Sequence, residues 1–148
     1  WKTETVENME HPFALRRAFT ANEKGHRIVL ARGPSGPVFA TFELDRETDE
    51  ELGTQPPVYR IDDKQIRSLE DYGPFSTLGS KAARWRIWDG NEKPCSPSVV
   101  ENLLGESALC EIIKGEEMTL KYFLITGESR KTNFSLKGAK EAVDFLLK

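Results

Sequence analysis

The sequence predicts a mainly β fold, an antiparallel β-sandwich with a short internal helix and a C-terminal helix. Successive short stretches alternate apolar and polar side chains, which is the period of a half-buried strand. Between them lie brief turns rich in Gly, Pro, Asn and Asp, too short for the crossover that a parallel pair requires. Helix signals occur in two places, a capped stretch near Ser98 and an amphipathic one from Gly138. A chain of 148 residues, 38% hydrophobic and 30% charged, is sized for a single β-rich domain spanning residues 1–148.

The opening stretch WKTETVENMEH (1–11) is polar and without period, and reads as an N-terminal arm or an edge strand. From Pro12, FALRRAFT places Phe13, Leu15, Arg17 and Phe19 on one face against Ala14, Arg16, Ala18 and Thr20. The turn ANEKG, the strand HRIVLAR, the turn GPSGP and the strand VFATFELD follow, an antiparallel meander. Residues 45–57, DRETDEELGTQPP, form a solvated acidic loop. In VYRIDDKQI, Tyr59 and Ile61 alternate with Arg60 and Asp62 up to a turn at Asp62–Asp63, the pattern of a hairpin. DYGPFSTLGSKAA reads as a loop, and ARWRIWDG as a strand closed by Asp-Gly. Ser96 or Ser98 then caps a short helix, with Pro97 in its first turn, Glu101 completing a capping box and Gly105 as its stop. ALCEIIK and MTLKYFLIT are expected as strands around the turn GEE, with KTNFSL as a third after Gly127. In the last stretch Ala139, Ala142, Val143, Leu146 and Leu147 make one helical apolar face.

Charge and residue inventory exclude several chemistries. Lys plus Arg number 21 against 24 Asp plus Glu, a net charge of −3 that argues against a nucleic-acid partner or an anionic membrane. No apolar run approaches the roughly 20 residues of a spanning helix, so no transmembrane segment is expected. Two His and two Cys leave little material for a zinc site, and neither a metal nor another cofactor is predicted. Asp45, Glu47 and Asp49 open like a calcium loop. Glu50, however, stands where that loop needs Gly, and Pro56 where it needs a bidentate Glu. Gly33-Pro34-Ser35-Gly36 lacks the spacing of a nucleophile elbow or a phosphate loop and reads as a turn. Nothing places His11 or His26 beside a nucleophile, so no catalytic residue is assigned. The sequon Asn133-Phe134-Ser135 falls in an expected strand and is read as chance.

Two local features remain. Arg84, Arg86 and Trp88 alternate onto one strand face, opposite Trp85 and Ile87. Two guanidiniums beside an indole suit an anionic or aromatic ligand, and the alternative is a solvated strand whose arginines pair with acidic neighbours. A bridge between Cys95 and Cys110 would close a loop of about 15 residues, worth about 3 kcal/mol in the chain-entropy account. The alternative is a buried free thiol at Cys110 and an exposed one at Cys95. The bridge is favoured, and with it an exported protein.

The segment SPSVVENLLGESALCEIIKGEEMTLKYFLITGESRKTNFSLKGAKEAVDFLL resembles the closing part of the invasion-associated locus B family of bacterial exported proteins. Its Ser-Leu-x-Gly-x-x-x-Ala signature is carried here by Ser135, Leu136, Gly138 and Ala142, and the family's Ile-Asp turn by Ile61 and Asp62. The resemblance implies a β-sandwich-like fold in the periplasm or at the cell surface, with no catalytic residues to carry over. The chain begins at Trp1 without an initiator Met, which reads as either a processed product or a trimmed piece, and a signal peptide, if one existed, is expected to be already removed. The function expected is that of an exported non-enzymatic protein that binds a protein partner in the bacterial envelope. The rival expectations are a small hydrolase with an unrecognised site and an immunity or inhibitor protein for a secreted toxin.

Overall fold

Alternating burial along the chain resolves into two antiparallel sheets. The computed structural model describes residues 1–8, 11–32, 36–71, 75–90, 93–95 and 107–148, with the backbone alone at 7, 8 and 11–14. The elements run β1 (Lys2–Asn8), β2 (His11–Ala21), β3 (Arg27–Arg32), β4 (Val38–Glu43), β5 (Val58–Ile61), β6 (Arg67–Ser68), β7 (Ser76–Thr77) and β8 (Ala82–Trp88). They continue with α1 (Ala108–Lys114), β9 (Glu117–Phe123), β10 (Ser129–Ser135) and α2 (Ala139–Leu147). One sheet has six strands in the order β1-β2-β3-β4-β8-β7, and the other has four, β10-β9-β5-β6. The predicted meander is β2, β3 and β4, and the predicted hairpin is β5 with β6.

The two sheets pack face to face. Ala18, Leu30, Ala40 and Trp85 stand opposite one another across four strands, each almost wholly buried. Facing them, Tyr59 of β5 packs on Trp85 at 5.7 Å between ring centroids, and Tyr122 of β9 packs on Phe42 of β4 at 5.1 Å. Such tilted ring pairs add to the area they bury. The inner face of β1 and β2 is covered by α2. Arg16 Nη1 donates to the carbonyls of Phe145 and Lys148 at the C-terminal end of that helix, where the dipole favours a cation. At the other end of α2, Trp1 Nε1 donates to the Ser135 carbonyl at 3.1 Å, pinning the start of β1. The polar opening stretch is therefore an edge strand of the large sheet.

Two described elements depart from the sequence expectation. ALCEIIK, expected as a strand, is α1. Ser107 caps it, its Oγ accepting from the Cys110 amide at 3.0 Å, and Ala108, Leu109, Cys110, Glu111 and Ile112 are all buried. Five consecutive buried positions leave no polar face, so the pattern that separates period 2 from period 3.6 is missing. The helix expected from Ser98 to Gly105 lies outside the described residues. Within the stretch expected as a loop before β8, the two-residue strand β7 pairs Ser76 with Arg84 and Thr77 with Ala83.

Candidate functional site

Among the described residues, α2 and the small sheet pack on the inner face of the six-stranded sheet, and no helix or strand packs on its other face. Cross-strand register assigns that outer face. Phe19, Val29, Thr41 and Arg84 form one row, and Arg17, Ala31, Phe39 and Arg86 the next. Across these rows lies an open groove of about 650 Å³, lined by Leu15, Val29, Ala31, Pro37, Phe39, Thr41, Leu78 and Ala82 with Arg17, Arg84 and the carboxylate-bearing Glu43. Leu15 is 38% and Leu78 51% exposed, so the groove offers apolar side chains to solvent. At one end the Asp89–Gly90 turn tucks under Pro37. Gly90 has φ +89°, and a Cβ there would come within 2.5 Å of the Gly36 carbonyl oxygen.

The arginines on this face are held by rings. The Arg84 guanidinium lies 4.2 Å from the Phe39 centroid, Arg86 approaches the same ring at 5.8 Å, and Arg27 stacks on Phe19 at 4.8 Å. Stacking keeps a guanidinium flat and leaves its N–H edge to solvent. Arg86 pairs with Asp89 at 3.3 Å, and Arg17 with Glu4 at 3.3 Å. Among the described residues no carboxylate pairs with Arg84.

Trp88 does not join the two arginines. Between Val38 and Phe39 the register of β4 against β8 slips, so that Val38 faces Trp88 while Phe39 faces Arg86. The extra residue, Ile87, turns Trp88 to the inner side with Val38, where it is 7% exposed and has the Arg32 guanidinium 5.2 Å from its ring. The structure thus brings Arg84 and Arg86 together and sets Trp88 on the opposite face.

The remaining candidates serve the framework. Lys81 Nζ donates to the carbonyls of Thr48 and Glu50, pinning the acidic loop to β8. No cluster of three or more potential metal ligands occurs among the described residues. Cys95 and Cys110 are joined by a disulfide with their Cα atoms 5.0 Å apart. Beside it Ser107 Oγ donates to the Pro94 carbonyl at 2.6 Å.

His26 anchors a polar chain between the sheets that no sequence spacing announces. Its Nδ1 accepts from the Asp45 amide at 2.9 Å, which puts the ring proton on Nε2, 3.4 Å from the Tyr122 hydroxyl. That hydroxyl donates to Glu50 Oε1 at 3.1 Å, and Arg130 Nε pairs with Glu50 Oε2 at 3.2 Å. Burial, then the charge of Glu50, pushes the Tyr122 hydroxyl up to about 12. Burial also holds His26 below its ordinary 6.5, reinforced by Lys24 and opposed by Glu50 and Asp45. Protonating Nδ1 would set two N–H groups against each other.

A pH dependence follows. A histidine whose folded pKa lies below its unfolded value binds more protons when unfolded, so stability rises with pH through that window and falls as pH drops below about 6.5. His26→Asn keeps an acceptor for the Asp45 amide but cannot titrate. Urea unfolding midpoints measured from pH 5 to 8 should climb less steeply for this variant than for the parent, and equal slopes would remove the buried histidine as the cause.

No protein-family model matches the chain, and no curated protein sequence does. Among solved structures, invasion associated protein B from Bartonella henselae shares its fold, with a TM-score of 0.58 over 98% of this chain and 91% of its own. The two sequences are 10% identical, so the likeness is one of fold.

The residues that carried the sequence resemblance sit at joints of this shared architecture. Ser135 ends β10, Gly138 adopts φ +87° to turn the chain into α2, and Ala142 lies on the buried face of that helix. Asp62, at φ 51°, accepts from the Glu116 and Glu117 amides and ties the β5 turn to the start of β9. None of them lines the outer groove; in this chain they serve the framework.

Proposed function

We propose that this chain is an exported bacterial binding protein without catalytic activity. Its partner, a protein of the periplasm or cell surface, seats on the outer face of the six-stranded sheet. The observation that carries this reading is the open apolar groove bordered by Arg84 and floored by Phe39. Exposed apolar surface flanked by aromatic and arginine side chains has the composition of an interface centre. The charge of the face makes the partner's contacting surface acidic. The fold likeness to an invasion-associated protein supports a bacterial origin. The Cys95–Cys110 bridge supports export, because such bonds persist in oxidising compartments.

Photo-crosslinking tests the face itself. A benzophenone side chain at position 78, within the groove, is compared with one at position 64, in the β5–β6 turn of the other sheet. In envelope extract of the source bacterium, a discrete adduct should form from position 78 alone and vanish when Arg84→Glu is added. Equal adducts from both positions, or none, would overturn the assignment.

A further inference from the structure

We infer that the partner segment bound by the outer face carries a carboxylate beside an apolar anchor, and that Arg84 is the residue that reads the carboxylate. This rests on the binding role proposed above and names its chemistry.

The charges of the face are lopsided. Register places Lys2, Arg17, Arg27, Arg84 and Arg86 on it, with Glu4 and Glu43 as the strand carboxylates, in a chain whose net charge is −3. Glu4 neutralises Arg17, Glu43 stands directly opposite Arg27, and Asp89 neutralises Arg86. Lys2 lies away on the edge strand. Arg84 is exposed at the groove, whose lining also includes Glu43, and among the described residues no carboxylate forms an ion pair with it. Its stacking on Phe39 at 4.2 Å fixes the guanidinium plane in advance, so less side-chain freedom is lost when an anion binds.

The apolar part of the ligand has its place alongside. Phe39, Ala31 and Val29 form the groove floor, and the exposed side chains of Leu15 and Leu78 rise at its sides. A carboxylate within one or two residues of an aliphatic or aromatic side chain would reach Arg84 while that side chain fills the groove. Acidic surface elsewhere on the chain repels such a segment and steers it to this face.

Panning a random-peptide display library on the full chain tests the inference. Selected peptides should carry Asp or Glu beside Leu, Ile, Phe or Trp. The tightest should lose about tenfold in affinity against Arg84→Gln, with a similar loss when its own acid is amidated and no further loss when both changes are combined. Arg84→Lys, which keeps the charge and removes the fork, should recover part of the loss. Basic or uncharged selections, no selection, or undiminished binding to Arg84→Gln would overturn the inference. A groove-specific adduct from position 78 alongside such a result would leave the binding role standing and remove only its acidic chemistry. Absence of that adduct removes the role itself.

Discussion

Truncating Glu111 to alanine should destabilise the fold by about 3–5 kcal/mol, a large share of the stability of any small domain. Arg67 and Glu111 are 1% and 7% exposed, with Nε and Oε1 2.7 Å apart. The pair joins β6, a two-residue edge strand, to α1, a seven-residue helix. Neither element is long enough to hold itself, since a helix of two turns is marginal in water without tertiary contacts. Removing the carboxylate leaves a guanidinium that cannot deprotonate and cannot reach water. Arg67→Ala should cost a similar amount by stranding the carboxylate. The combined change Arg67→Met with Glu111→Leu removes both charges and keeps the volume, so its cost should fall well below the sum of the two single changes. Urea unfolding of the four proteins measures this directly. Single-variant losses under about 1 kcal/mol would mean that water reaches the pair, as it does in a surface ion pair.

This ion pair also marks where sequence reading loses its grip. Strands that bury one face, such as β4 and β8, alternate cleanly and are legible at once. In β2 the alternation is equally clear but does not tell the inner face from the outer. The face with the larger apolar side chains, Leu15 and Phe19, turns out to be the solvent side, while Ala18 faces inward at 0% exposure. A small residue suits the inner face because α2 packs against it. In α1 burial on all sides erases periodicity, and two isoleucines bias the reading towards a strand. Ser107, one residue before the segment, was the available signal for a helix N-terminus.

The candidate site was half legible for a related reason. Arg84 and Arg86 follow strict alternation and share the outer face, as their spacing predicts. Trp88 follows the same spacing and does not, because the bulge at Ile87 is fixed by pairing against Val38 and Phe39, some 50 residues earlier in the chain. The groove floor comes from β3 and β4 and is visible only through cross-strand register. His26, Glu50 and Tyr122 meet across two sheets, and no local pattern records their chain of hydrogen bonds.

The second large effect concerns the bridge at α1. Replacing both cysteines by alanine should lower stability by about 3 kcal/mol, the value expected for a cross-link of this loop length. Their sequence separation is 15. Alanine is the appropriate replacement because Cys110 is 0% exposed and a serine there would bury a hydroxyl. Without the bridge, the segment around Pro94 keeps the hydrogen bond from Ser107 to its carbonyl but has lost its covalent tie to the helix. Thiol labelling adds a kinetic signature. The oxidised native protein should take up no alkylating reagent, and after reduction exposed Cys95 should label quickly. Cys110 should label only as fast as α1 opens, and more quickly in Glu111→Ala, where the second fastening of that helix is gone. Two thiols labelling together in untreated protein would show the bridge to be absent under those conditions and withdraw its support for export. Equal rates at Cys95 and Cys110 after reduction would instead place α1 outside the protected core.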